Sequence, residues 1–322
     1  SRLYKKLTKS FSKRKINKNL TILSTLTIPL WSSLIIRKIN YLIIQFKLIN
    51  LNLKYKRFHV WSYHPFIPKK LIKKSKSVIY HSVDDISLVR GVDKNSFKKQ
   101  EEYFSRKANY IFVSSKKLLK KYQKNKTYFF SNVIDSKILK LRKNTKVLKN
   151  IKEPIVGFFG NLTETKIDYK LLDYSIKNLN NFLFVFLGEE NENEKNNLLL
   201  KLRKYNNTLF LGVKNHTETI KIAKNFNVGL IPFLKNNYTD NIFPMKYYEY
   251  IASGARVVST NLDFTKQVSK KFLKVANSKE QFKRYIRSQS QKKNIKKNDI
   301  KFFLNQNTYS SRTKKMLEIC KI

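Results

Sequence analysis

The sequence predicts an α/β protein with two doubly wound, parallel-sheet domains. Three observations predict it: short apolar runs alternate with helix-length stretches, glycines stand at the ends of those runs, and one polar, lysine-rich segment divides the chain. The clearest run is Ile155-Val156-Gly157-Phe158-Phe159-Gly160, and others lie at 184–188, 209–212 and 228–232. Continuous apolar runs of about four to six residues read as strands buried on both faces. Residues 169–179, 194–205 and 217–224 read as the helices between them, which is the parallel, doubly wound pattern. Six of the seven glycines lie between Gly157 and Gly254, where a backbone turns tightly or meets a ligand. The first half repeats the pattern more weakly, with strands expected at 20–28, 58–62, 77–81 and 110–114 and helices at 33–55 and 94–107. Residues 139–153 are the expected linker, giving domains 1–150 and 151–322 with a crevice between them. Past residue 279, helices are expected at 281–287 and 302–317, with a loop at 288–298.

Composition narrows the class. The chain has 322 residues, 41% of them hydrophobic, enough for real cores and against disorder. The single cysteine, Cys320, excludes an internal disulfide framework and points to a reducing, cytoplasmic compartment. No apolar stretch reaches the roughly 20 residues of a membrane-spanning helix. Net charge is +47, from 68 Lys and Arg against 21 Asp and Glu. Residues 1–83 contain no acid at all, whereas residues 151–250 net only +2. A basic surface implies a polyanionic partner: nucleic acid, anionic lipid or a phosphorylated substrate. Drift toward AT-rich codons also raises lysine, but explains the uneven distribution less well.

The most informative stretch runs from Asn241 to Thr260. Pro244 suits a helix start and Gly254 the residue just past its end. Lys246 falls in the first turn, where a cation opposes the helix dipole but suits a bound phosphate. Glu249 lies three residues on, on the same face, placed to accept from two ribose hydroxyls. Together they suggest a nucleoside diphosphate. The plain alternative is an exposed Lys–Glu pair within the helix.

Pro244, Lys246, Tyr248, Glu249, Tyr250, Ala252 and Gly254, followed by Val257-Val258-Ser259-Thr260, resemble the donor-site helix of family-4-type GT-B glycosyltransferases. Gly157 to Gly160, 184–189 and Ser131-Asn132-Val133-Ile134-Asp135 resemble further elements of that family. Tyr80 to Asp85, with 90–93, is similar to a subgroup acting in bacterial surface polysaccharide synthesis, teichuronic-acid-type enzymes included. The resemblance covers about residues 20 to 275. It implies two Rossmann-like domains facing across a cleft, with Glu249 on the donor ribose, Lys246 at the diphosphate and Gly160 against the phosphates. Asn241 stands where many members carry a glutamate, and Asn161 where many carry an arginine; Lys166 is a candidate to replace that charge. The family's first strand and acceptor loop should precede Leu20, so the chain is expected to be truncated at its start.

In the first half, His64 matches the position of a histidine at the mouth of the crevice, a candidate catalytic contact to sugar or acceptor. His59 and His81 are expected to pack or pair, and their spacing fits no zinc site. Asp84 and Asp85 are candidate acceptor-binding carboxylates, with charge pairing to Lys or Arg as the alternative. The 33–55 helix reads either as a basic amphipathic helix on anionic lipid or as a core-packing helix, the latter favoured. The implied function is metal-independent, retaining transfer from a nucleoside-diphosphate sugar to a lipid-linked or polysaccharide acceptor. Neither cofactor nor metal is expected beyond that co-substrate, and the chain is expected to be cytoplasmic, with the inner face of the plasma membrane as a candidate peripheral site. A non-catalytic paralogue is the second reading. Nucleic-acid binding is a third, but no motif for it accompanies the charge.

Overall fold

The computed structural model describes residues 13–49, 58–89, 91–144, 146–190, 197–305 and 307–322. The chain forms two compact units: residues up to Val113 with Leu119–Tyr128, and Ser114–Leu118 with Phe129–Ile322.

The first unit starts with an antiparallel hairpin of β1 (Lys13–Asn17) and β2 (Leu20–Leu23). The strand expected at 20–28 is therefore short and stays outside the main sheet. That sheet runs β3 (His59–Ser62), β4 (Ser77–Ser82), β5 (Tyr110–Val113) and β6 (Thr127–Phe129), with β3, β4 and β5 parallel. All six residues of β4 are buried, as a central strand covered on both faces requires. The Lys94–Lys107 helix packs Phe104 on Tyr80 of this strand, ring centres 5.3 Å apart, and buries Phe97 against Phe66. Lys126 closes that helix's end by donating to the Ser105, Arg106 and Ala108 carbonyls at 2.9, 3.1 and 2.9 Å. The Leu34–Ile49 helix covers most of the expected 33–55 span, whose residues 50–55 lie outside the described residues.

The second unit holds β7 (Ile155–Phe159), β8 (Leu183–Leu187), β9 (Thr208–Phe210), β10 (Val228–Ile231), β11 (Arg256–Thr260) and β12 (Leu273–Ala276). The spatial order β12-β11-β10-β7-β8-β9, parallel throughout, is that of a dinucleotide-type doubly wound sheet. Its strand order reverses between β7 and β10, and ligands of such sheets bind at the carboxyl ends there. Those two strands pair only at Val156–Val228 and Gly157–Gly229. Beyond that point the Tyr250 hydroxyl spans the gap, accepting from Phe159 N–H at 3.3 Å and donating to Leu230 C=O at 3.1 Å. Gly229 makes room for it: a Cβ there would lie 2.2 Å from the Tyr250 ring.

The segment expected as a linker belongs to this unit. Ile138 and Leu148 enter its core, and Asn144 N–H donates to Lys221 C=O at 3.0 Å. The unit therefore begins near Phe129 rather than at 151. The expected 302–317 helix is two helices, Lys297–Leu304 and Tyr309–Cys320, the second capped by Thr308. This last helix is tied to the unit's first residues. Ile134 N–H donates to Asn307 C=O, Tyr309 N–H to Ile134 C=O, and Arg312 to Ser131 C=O, at 3.2, 3.0 and 3.1 Å.

Candidate functional site

Three glycines form the rim where β7, β8 and β9 end. Gly160 N–H donates to Leu187 C=O at 2.8 Å, and Gly188 N–H to Gly212 C=O at 3.0 Å. A side chain has no room here: a Cβ on Gly188 would lie 1.9 Å from the Gly160 carbonyl oxygen, and both residues hold positive φ.

Against this rim lies Lys246, the first residue of the Lys246–Ser253 helix. Phe243 and Pro244 lead into that helix, and Asn132 Nδ2 holds the Phe243 carbonyl at 2.8 Å. Gly254 ends it at φ 91°, as its place in the sequence requires. Lys246 is half-buried as a residue, and its ammonium points back to Gly160; a Cβ there would come within 2.6 Å of Nζ. Nζ also sits 5.2, 5.9 and 5.5 Å from the ring centres of Phe158, Phe159 and Phe233. Desolvation there, aided by the Lys166 charge and opposed by Glu249, pulls its pKa down to about 8.

Lys166 reaches the same ring from another loop. Leu234 N–H donates to Lys166 C=O and Asp168 N–H to Pro232 C=O, at 2.9 and 2.8 Å, which zips the 166–168 loop to the end of β10. Its Nζ then lies 5.5 Å from Phe233 and 5.6 Å from Tyr238. Two ammoniums thus share one ring at the switch point.

Glu249 is buried and does not pair with Lys246. Its Oε1 accepts from Nε2 of His216 at 2.7 Å. His216 opens the His216–Ala223 helix, capped by Asn215. That hydrogen bond raises the His216 pKa, against partial desolvation and with the Glu249 and Asp135 charges adding. His216 is the site residue that sequence reasoning passed over. Its signal is weak: one histidine at a helix start, past a strand ending in glycine.

The structure gathers Gly160, Lys166, Lys246 and Glu249 around the end of β7. Asn161 is exposed beside Gly160. Asn241 is buried in a 3-10 turn, its amide donating to Asn237 C=O. Among the described residues, no three His, Cys, Asp or Glu gather to hold a metal ion.

The remaining candidates belong to the first unit. His64 is exposed, and its Nδ1 accepts from Phe66 N–H at 3.2 Å, which leaves the proton on Nε2 in the neutral ring. Asp84 and Asp85 follow β4 and are half-buried. Asp85 caps the turn Ile86–Leu88 and pairs with Lys121 at 3.0 Å. Burial works against its charge, but bonds from Ser87 and Lys121 hold its carboxyl below the usual range. Lys121 also meets buried Glu101 at 2.6 Å, and the Tyr80 and Tyr122 hydroxyls each reach Glu101 at 2.7 Å. His59 pairs with Ser77 at 2.6 Å and His81 packs on Tyr63 at 4.8 Å, as expected of both.

The folds of solved proteins are similar to this one. The Anabaena protein Alr3699/HepE in complex with UDP aligns at a TM-score of 0.67 over 88% of this chain and 84% of that chain, at 13% identity. The E. coli trehalose-6-phosphate structure bound with UDP-2-fluoro glucose aligns at 0.67 over 97% and 89%, at 12% identity. The chain thus has the GT-B fold, as the sequence predicts. Residues 139–315 match the model of glycosyl transferases group 1, and the chain belongs to that family. It is 25% identical over 119 residues to TuaH of Bacillus subtilis (strain 168), a glycosyltransferase named for teichuronic acid biosynthesis. That match spans 37% of this chain and 30% of TuaH.

Proposed function

We propose that this chain transfers a glycosyl group from a nucleoside-diphosphate sugar to an acceptor hydroxyl. The observation that carries the reading is the pair of ammoniums, Lys246 and Lys166, on the Phe233 ring beside the glycine rim. A diphosphate seated there meets two cations and a helix start, with backbone able to approach closely. Glu249, held by His216, accepts from the ribose hydroxyls.

In the reaction the bond from the anomeric carbon to the diphosphate oxygen breaks. A bond from that carbon to the acceptor oxygen forms, and the proton of the acceptor hydroxyl passes to the leaving diphosphate oxygen. Negative charge grows on the leaving diphosphate, and the fixed ammoniums are aimed at it. In this reading they replace a divalent ion, and transfer proceeds with retention. In the same scheme His64 and Asp84 serve the acceptor, while Asp85 is taken up by Ser87 and Lys121, the charge pairing that is its alternative. Likeness to TuaH, named for teichuronic acid biosynthesis, supports a role in polysaccharide synthesis; in this reading the acceptor is lipid-linked or a growing polysaccharide, met at the cytoplasmic face of a membrane.

The test is a thermal-shift screen of nucleoside diphosphates and their sugars. A ligand at about a hundredfold over its Kd stabilises by ~2.7 kcal/mol. Wild type should shift with one nucleotide class and Glu249→Ala should not. If no nucleotide shifts wild type, or the variant responds equally, the donor site is wrongly placed. Transfer abolished by EDTA and restored by a divalent ion would overturn the metal-free mechanism.

A further inference from the structure

The Leu34–Ile49 helix is not the core-packing helix its sequence favours. Leu34, Ile35, Leu42 and Phe46 are 70%, 72%, 66% and 67% exposed, in one stripe at helical spacing. The helix is held in that orientation from its other side. Asn40 is fully buried, and its side chain makes both hydrogen bonds to the Ile28 backbone, at 2.8 Å each. Those two bonds fix the rotation of the helix and turn the apolar stripe outward.

Beside the stripe, between this helix and Lys94–Lys107, lies a cavity of about 830 Å³ that Leu34 and Leu42 also line. Arg37, Lys38, Lys69, Lys70 and Lys99 surround it, and among the described residues no carboxylate lines it. Charge decides what covers this face. A second copy docking symmetrically would set cations against cations. A neutral apolar partner would desolvate them unpaired. Lipid phosphates over an acyl layer satisfy both the stripe and the ring of cations.

We propose that this face docks on an anionic phospholipid bilayer. Leu34, Ile35, Leu42 and Phe46 enter the acyl boundary. Lys38, inside the stripe, extends to the headgroups, and the cavity cations bind lipid phosphate. The docking gives the lipid-linked acceptor of the proposed function its geometry, and to that extent it rests on that reading.

The experiment is co-sedimentation of the full chain with vesicles of phosphatidylcholine alone, or of equal parts phosphatidylcholine and phosphatidylglycerol. Wild type should pellet with the anionic vesicles only and come off in high salt. The exposed double variant Leu42→Glu, Phe46→Glu should bind at least about tenfold less while keeping its melting temperature. Equal sedimentation with both vesicles, sedimentation with neither, or wild-type binding by the variant overturns the proposal. So does a concentration-dependent dimer that the variant abolishes, which assigns the face to a second copy. The UDP thermal shift is read on the same preparation: its loss with vesicle binding intact refutes the donor site and leaves the docking face standing.

Discussion

Donor affinity should fall at alkaline pH, and Lys246 sets where. Its ammonium lies among three aromatic rings, and its pKa in the unliganded protein is about 8. A diphosphate binds the charged form and stabilises it, so binding takes up a proton wherever free Lys246 is neutral. Roughly nine-tenths of Lys246 is charged near pH 7 and roughly one-tenth near pH 9. The Kd for the nucleoside diphosphate should therefore rise about tenfold between them, ~1.4 kcal/mol. Isothermal titration with UDP at both pH values measures it, and Lys246→Met is the control. Methionine keeps the length and the ring contacts but removes the charge. The variant should bind more weakly near pH 7 and show no slope. A flat wild-type profile, or the same slope in Lys246→Met, refutes the assignment of Lys246 to the diphosphate.

Three further outcomes follow from the geometry. The folded pKa of His216 is raised by Glu249, so the pair stabilises fully below the ordinary histidine value, about 6.5, and less as pH rises through the raised value. The melting temperature of wild type relative to His216→Ala should fall across that window, and a constant difference refutes the pairing. Gly188→Ala sets a methyl against the Gly160 carbonyl oxygen, and should destabilise by about 2 kcal/mol or more in urea unfolding and remove the UDP thermal shift. Lys126→Met leaves three carbonyls at a helix end without their donor, and should cost about 1–3 kcal/mol by urea unfolding.

Much of the donor unit was legible in the sequence because its signals are local. Gly157 and Gly229 mark strands that must admit a ring, and Gly254 marks a helix end. Lys246 and Glu249 sit one helical turn apart whatever the tertiary structure does. What each side chain meets was not legible. The partner of Glu249 is 33 positions away, and the rings around Lys246 come from two separate strand ends. The unit boundary was misplaced because residues 139–153 look polar, while Ile138 and Leu148 suffice to anchor that segment in the core. The Leu34–Ile49 helix misled for a related reason. Amphipathic spacing says that two faces differ, but one buried asparagine decides which of them meets water.

The bonds between 307–312 and 131–134 have a consequence for how the protein is made. Asn132 holds the carbonyl of Phe243, just before the helix that carries Lys246, and its neighbour Ser131 is held in turn by Arg312. During synthesis the sheet from β7 to β12 emerges before Arg312 exists. The strap behind that helix closes only after Arg312 has left the ribosome, later than every strand of the sheet. A protease that cuts after Leu304 would spare the strands from β7 to β12 yet release Ser131 and, through Asn132, loosen the helix that carries Lys246.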